Sequence, residues 1–91
     1  MQNKNEKSLY FREVLGKVIR QQREEKTKLS GNKLANEYDI GNGNLSRIEN
    51  GVVDCKFITI WKIVEALGVD FAEFSTILKS ELGNNFKLTD E

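Results

Sequence analysis

Residues 29–51 read LSGNKLANEYDIGNGNLSRIENG, and this stretch decides the fold. Ser30 belongs to the residue types that cap helix N-termini, so a short helix is predicted directly after it. The side chains that would share one side of this helix are Leu34, Ala35 and Tyr38. The sequence Asp39-Ile40-Gly41 then interrupts the pattern and predicts a tight turn.

A third helix is predicted from about Asn42 to Asn50, with Leu45 and Ile48 facing the interior. Gly51 stands where a left-handed residue commonly ends a helix. Two short helices joined by a tight turn, ahead of a longer apolar helix, have the outline of a helix-turn-helix. Many small helical bundles share this outline, so the geometry alone does not decide the function.

The flanking sequence adds three longer helices and no strand pattern. Apolar residues at helical spacing predict a first helix from about Ser8 to Lys26. A fourth helix is predicted from about Lys56 to Leu67, and a fifth begins after the N-cap Asp70. The fourth helix is expected to bury Ile60, Trp61, Ile63, Val64 and Leu67.

These five helices predict an all-α fold, a compact five-helix bundle that contains a helix-turn-helix. We expect residues 1–91 to form one domain, because 91 residues suffice for a single small core. The helices are expected to occupy residues 8–83, with flexible ends at 1–7 and 84–91.

The composition excludes several kinds of chemistry. The chain has no His and a single Cys, Cys55, so it cannot form an internal disulfide, a usual zinc site or a His-based acid–base centre. We therefore expect no enzyme activity, no metal and no cofactor. The polar start, MQNKNEKS, is unlike a signal peptide, and no apolar run approaches 18 residues. The sequence predicts a cytoplasmic protein with no membrane partner.

The charge of the chain is divided between its two parts. Fourteen Lys and Arg balance fourteen Asp and Glu. Residues 1–33, however, hold nine Lys and Arg against four Glu, a net charge of +5, while residues 34–91 hold five against ten, or −5. Because salt screens charges beyond about 8–10 Å, a polyanion responds to the nearest face of a protein more than to its net charge.

Two motifs at a fixed spacing carry a resemblance to a known family. They are SRIENG at residues 46–51 and EALGV at 65–69. With them the chain resembles, over about residues 12–75, the Cro and repressor-type helix-turn-helix family, the phage-repressor-like or XRE-like regulators. This resemblance implies a lambda repressor-like DNA-binding domain. In that family the second helix lies across the DNA backbone and the third reads base edges in the major groove.

The helical wheel places the polar residues of the third helix opposite Leu45 and Ile48. The residues on or beside that outward face are Asn42, Gly43, Asn44, Ser46, Arg47 and Asn50. Asn can bond adenine and Arg can bond guanine through two hydrogen bonds. The resemblance implies base or phosphate contacts for Asn42, Asn44 and Arg47.

The resemblance also implies a phosphate-binding role for residues around this helix. Asn50 matches a family residue that bonds phosphate, and Arg23 with Glu49 matches a family ion pair that faces one; a purely structural ion pair is the alternative. At the start of the second helix, the residues expected near phosphate are Lys28, Ser30, Asn32 and Lys33.

The sequence departs from the family pattern at four places. Gly31 stands where a glutamine usually reaches phosphate, and Asp39 replaces a turn glycine, although Asp tolerates left-handed geometry. Gly43 opens the reading helix, where an interior glycine costs about 0.5–1 kcal/mol relative to alanine. Thr27-Lys28 also makes the first interhelical link one residue longer than usual. These departures bear on DNA sequence specificity more than on the fold.

The resemblance further implies a homodimer on palindromic double-stranded DNA, with the fifth helix, Phe86 and Leu88 as candidate dimer surface. The favoured interpretation is a sequence-specific transcriptional regulator, a repressor of phage or mobile-element type. The alternative is an antitoxin or other partner-binding protein with weak or only autoregulatory DNA binding. Nothing in the sequence indicates a small-molecule substrate, the operator sequence or the genes controlled.

Overall fold

The computed structural model describes residues 4–41 and 43–89, with side chains from Glu6 onward. Over these residues the chain forms helices and no strand, so the predicted all-α helix-turn-helix bundle is confirmed. The helices are α1 (Lys4–Lys26), α2 (Gly31–Glu37), α3 (Asn44–Glu49), α4 (Phe57–Leu67) and α5 (Phe71–Leu82). None of them is long and apolar enough to cross a membrane.

All five helices contribute side chains to one hydrophobic core. Val18, Ile19, Leu34 and Ile63 are completely buried at its centre. Leu45 and Ile48 of α3 and Phe74 of α5 lie against the same cluster. Since α1 packs on α3, α4 and α5, it is the helix around which the others are arranged.

Two predicted helix starts are confirmed by their caps. The Ser30 hydroxyl accepts a hydrogen bond from the Lys33 backbone N–H at 3.2 Å and begins α2. The Asp70 carboxylate accepts bonds from the N–H groups of Ala72 and Glu73 and begins α5. Such a capping bond satisfies helix N–H groups that have no partner within the helix.

Two other helix starts differ from the predictions. The α1 helix begins at Lys4, the first residue that the structure describes, which is four residues earlier than expected. The α3 helix begins at Asn44 because Gly43 is its N-cap, in a left-handed conformation with φ of 74°. Gly43 is therefore not inside the helix, and the expected cost of an interior glycine does not apply to it. Asp39 does adopt the expected left-handed conformation, with φ of 57°.

The prediction that α4 buries Trp61 is wrong, because this side chain is 48% exposed. Tyr38, predicted to share one side of α2 with Leu34 and Ala35, is 45% exposed, whereas the other two are buried. The Trp61 ring stacks on Phe71, with centroids 4.9 Å apart, and its indole N–H donates to Glu65 at 3.1 Å. Because α4 is apolar on more than one side, its helical spacing could not tell which side is covered.

Glycine permits a close approach of α1 to α3. A Cβ atom added to Gly16 would lie 2.4 Å from the backbone oxygens of both Ile48 and Glu49. A second close approach involves Gly51, which follows α3. A Cβ atom added to Gly51 would lie 2.9 Å from the Cα of Glu13, which is one turn before Gly16 on α1. The end of α3 thus rests directly on the backbone of α1.

The described part of the C-terminal tail folds back on α1. The Phe86 ring lies 5.5 Å from that of Tyr10 and 6.1 Å from that of Phe11. The Lys7 ammonium also donates a hydrogen bond to the Thr89 carbonyl at 2.6 Å. Whether the two chain ends are flexible, as the sequence suggests, stays a prediction.

Candidate nucleic-acid interface

The α3 helix buries one side and exposes the other, as the helical wheel predicts. Leu45 and Ile48 are 1% and 2% exposed. Ser46, Arg47 and Asn50 are exposed. The exposed side of α3 is therefore polar, with one positive charge and no carboxylate.

Arg47 lies at the centre of this exposed side. A Cβ atom added to Gly43 would lie 3.3 Å from the Nη1 atom of Arg47. The guanidinium therefore folds back over the start of α3. No other described side chain forms a hydrogen bond or ion pair with it. Its guanidinium donors are thus directed to solvent, where they can bond a base edge or a phosphate.

Asn44 lies at the flank of this side, next to α4. Its amide donates a long bond of 3.5 Å to the Ile40 carbonyl, and the side chain is half-buried. A hydrogen bond of this length is weak. Asn44 also shares a cleft with Lys56 and Thr59, which the sequence analysis did not select. The neighbouring candidate, Asn42, lies outside the described residues.

The last residue of α3, Glu49, is a buried carboxylate held by two arginines of α1. Arg23 donates from Nε to Oε2 at 2.8 Å and from Nη2 to Oε1 at 2.9 Å. Arg20 adds a bond to Oε1 at 3.3 Å. The hydrogen bonds that Arg23 donates to Glu49 raise the pKa of Arg23 above its usual value, which keeps the guanidinium charged. The only acidic group of α3 is thereby neutralised.

These arginines also connect the end of α3 to the start of α2. Arg20 donates from Nη2 to the Asn50 amide oxygen at 3.2 Å. Arg23 donates from Nη1 to the Leu29 carbonyl at 3.2 Å, and a Cβ at Gly31 would lie 3.9 Å from its Cζ. The predicted pairing of Arg23 with Glu49 is thus present, whereas the part played by Arg20 was missed. No local signal could have found it, since 30 residues separate Arg20 from Asn50.

The start of α2 carries the other predicted residues. Lys28, Ser30, Asn32 and Lys33 are all exposed. Because Arg23 bridges Leu29 to Glu49, the segment before α2 lies close to the end of α3. Lys28 is part of this segment, and Lys33 is in the first turn of the helix that follows it.

Arg12 holds the segment that follows α3. Its Nε donates to the Gly51 carbonyl at 3.2 Å, and its Nη1 pairs with the Asp54 carboxylate at 3.3 Å. This arginine was counted only as part of the basic N-terminal third. Together, three arginines of α1 fix the end of α3 and the loop beyond it.

Comparison with known proteins gives one match. A family model described as helix-turn-helix matches residues 19–74, which span α2, α3 and α4 entirely. No curated protein and no solved structure matches the chain.

Proposed function

The chain belongs to the helix-turn-helix family of DNA-binding regulatory domains, and on this premise we propose that it is a sequence-specific transcriptional regulator. In this proposal α3 lies in the major groove of double-stranded DNA, and α2 crosses the phosphate backbone. The resemblance to the Cro and repressor-type regulators is supported by the family match. That family consists of DNA-binding domains and not of enzymes.

One observation carries the proposal: the exposed side of α3 offers hydrogen-bonding groups and a positive charge but no free carboxylate. A carboxylate there would be repelled by DNA phosphates, and the buried Glu49 has both oxygens bonded by arginines. Ser46, Arg47 and Asn50 are exposed, so a base edge can approach them without any rearrangement of the core.

The residues divide into two proposed roles. Arg47 and Asn44, together with Asn42, would bond base edges, each well-placed pair of bonds contributing about 1–3 kcal/mol of discrimination. The residues that would contact phosphate are Lys28, Ser30, Asn32, Lys33 and Asn50. Phosphate contacts fix the orientation of the protein on the duplex, whereas base contacts select the sequence. Arg23 would act through Glu49 by holding α3 in place.

We further propose that the regulator is a cytoplasmic repressor of phage or mobile-element type, and that it binds as a homodimer. A single module of this size buries about 600–1,000 Å² on DNA. Two copies on a palindromic site double the contacts, with half-sites about 34 Å apart. An antitoxin or other partner-binding protein is the second candidate, and the exposed aromatic rings of α4 are the observation in its favour.

The test is selection of bound sequences from a random duplex library at about 100 mM salt, where phosphate contacts alone bind weakly. We expect an enriched palindrome, and we expect the variant R47A plus N44A to lose the enrichment. The matched control is K79A plus N84A, which removes a cation and an amide from exposed positions in and after α5. Its selected sequence should equal that of the wild type.

Three outcomes would contradict the proposal. Weak, salt-sensitive binding that selects no sequence would indicate a phosphate binder only. Enrichment that survives R47A plus N44A would place the reading surface elsewhere. Absence of binding, together with a second protein that co-purifies with the chain, would favour the partner-binding candidate.

A further inference from the structure

Three strongly exposed apolar side chains of the described residues lie together at the start of α4. Phe57 is 63% exposed, Ile58 75% and Trp61 48%. The half-buried Phe71 of α5 underlies the rings, with its centroid 5.7 Å from Phe57 in an edge-on arrangement and 4.9 Å from Trp61 in a stack. We refer to Phe57, Ile58, Trp61 and Phe71 as the aromatic surface.

The rings of the aromatic surface are held in place by other side chains of the same chain, without a partner. Trp61 is held from below by Phe71 and from the side by its hydrogen bond to Glu65. Phe57 also contacts Trp61, with centroids 6.4 Å apart. A partner that docks here therefore has little side-chain entropy to overcome.

The size of the aromatic surface matches what a protein interface needs. Phe57, Ile58 and Trp61 together expose on the order of 400 Å², given the 150–250 Å² of an aromatic side chain. A standard interface buries about 800 Å² on each partner, of which about 56–65% is apolar. The aromatic surface alone supplies most of that apolar area.

The charges bordering the aromatic surface are of both signs. Its exposed charged neighbours along the chain include Lys56 and Lys62 as well as Glu65, Asp70 and Glu73. A twofold interface places the same surface on both partners, so a border of one sign would repel its own copy. A border of mixed sign avoids that repulsion, and it is poorly suited to a polyanion or to a strongly charged protein.

The aromatic surface also lies at the edge of the candidate DNA interface. Lys56 and Thr59, on either side of Phe57 and Ile58, line the same cleft as Asn44 at the start of α3. A second copy docked beside this edge would bring the two candidate DNA interfaces near each other, as adjacent half-sites require.

We propose that the aromatic surface is where a second copy of this chain docks in a twofold arrangement. The inference rests on the pairing proposed above and names the surface that pairing uses. Among the surfaces suggested by the sequence, Phe86 stacks on Tyr10 and Phe11, and Ile77 and Leu78 already pack against the core. Leu88 is 45% exposed, less than Phe57, Ile58 or Trp61.

The chain carries its own probe of this surface, since Trp61 is its only tryptophan. The molar mass of the full chain would be measured by sedimentation in the absence of DNA, over a range of concentration. Acrylamide quenching of Trp61 fluorescence would be followed over the same range. We expect a monomer–dimer equilibrium in which dimer formation shifts the emission to the blue and protects Trp61 from the quencher.

The variant I58E places a charge at the most exposed apolar position, outside the core, and should weaken the dimer about thirtyfold or more. The matched control L9E changes an exposed leucine of α1 and should dimerise as the wild type does. Circular dichroism and the thermal midpoint establish that both variants fold.

A dimer whose Trp61 stays fully open to acrylamide, or an I58E variant that dimerises normally, would overturn the proposal. So would a chain that stays monomeric over the whole concentration range, or a different protein whose co-purification is lost with I58E. Because dimerisation is measured without DNA, a failure of the DNA selection leaves this result intact, and the two proposals fail separately.

Discussion

Arg23 and Glu49 face each other across the junction of α1 and α3, joined by two hydrogen bonds of 2.8 and 2.9 Å. Their side chains are only 12% and 3% exposed. A helix of six residues is far too short to be stable by itself, so the position of α3 depends on contacts of this kind. The ion pair therefore orients the proposed reading helix without facing the base pairs itself.

Removing Arg23 should destabilise the protein strongly. In R23A the buried Glu49 carboxylate keeps only its longer bond to Arg20, and breaking a buried pair from one side costs about 3 kcal/mol or more. The matched variant R20A should cost less than about 1 kcal/mol, because the Arg20 side chain is 48% exposed and water screens its charge. The free energy of unfolding in urea measures both. If both variants lose the same free energy of unfolding, Arg23 has no special role in holding Glu49.

Gly16 should tolerate no side chain, whereas Gly31 should. In G16A the new Cβ would meet the backbone oxygens of Ile48 and Glu49 at 2.4 Å, so α1 and α3 must separate, at a cost of more than about 2 kcal/mol. In G31A the nearest side-chain atoms are 3.9 Å away, and alanine should stabilise α2 by up to about 1 kcal/mol. Thermal unfolding distinguishes the two. A stable G16A would mean that the α1–α3 contact is looser than described.

The sequence predicts well those structural features that depend on interactions between residues a few positions apart. Ser30 and Asp70 bond backbone groups at most three residues away, so their caps can be read directly from the chain. The inward side of α3 follows equally from the spacing of Leu45 and Ile48. The spacing of apolar residues does not show which other element, if any, covers an apolar side chain. Trp61 fits the apolar period of α4, yet it is 48% exposed in the described part of the chain.

The same limit applies to the candidate site. The residue types of the exposed side of α3 could be predicted, and family resemblance suggested the pairing of Arg23 with Glu49. The contacts of Arg20 with Asn50 and of Arg12 with Gly51 join parts of the chain 30 and 39 residues apart. Such contacts depend on the packing angle of α1 against α3, which no local pattern encodes.

Lys33 should contribute to DNA binding through charge alone. If it contacts a phosphate, K33A should weaken binding to all sequences and reduce the slope of log K against log salt by about 0.9. K79A is the matched control, because this exposed lysine is in α5, which packs mainly on α1 and α4. Titrations at several salt concentrations measure the slope. A change in the selected sequence with K33A would instead indicate a base contact.

Cys55 should react slowly in the folded protein. Burial raises the pKa of its thiol to about 11, from a usual value of 9.0, so at pH 8 it forms about a hundredfold less thiolate than an exposed cysteine. The folded state therefore favours the protonated form. The resulting stability is present below pH 9 and is lost as the pH rises through about 11.

Reaction with a disulfide reagent in the native protein and in urea tests this prediction for Cys55. The native rate should be far lower at pH 8 and should rise about tenfold per pH unit toward pH 11. Equal rates in the two states at pH 8 would show that the thiol is not buried.

The close approach of α3 to α1 at Gly16 has a consequence for how this protein can change in evolution. The six residues of α3 divide into two groups. Leu45, Ile48 and Glu49 are buried, whereas Ser46 and Arg47 are exposed to solvent. Since the exposed residues contribute nothing to the core, they can vary with little effect on folding. If the proposed reading role of α3 holds, a lineage can acquire a new DNA preference by substitutions at these positions, while the residues that hold the helix in place stay unchanged.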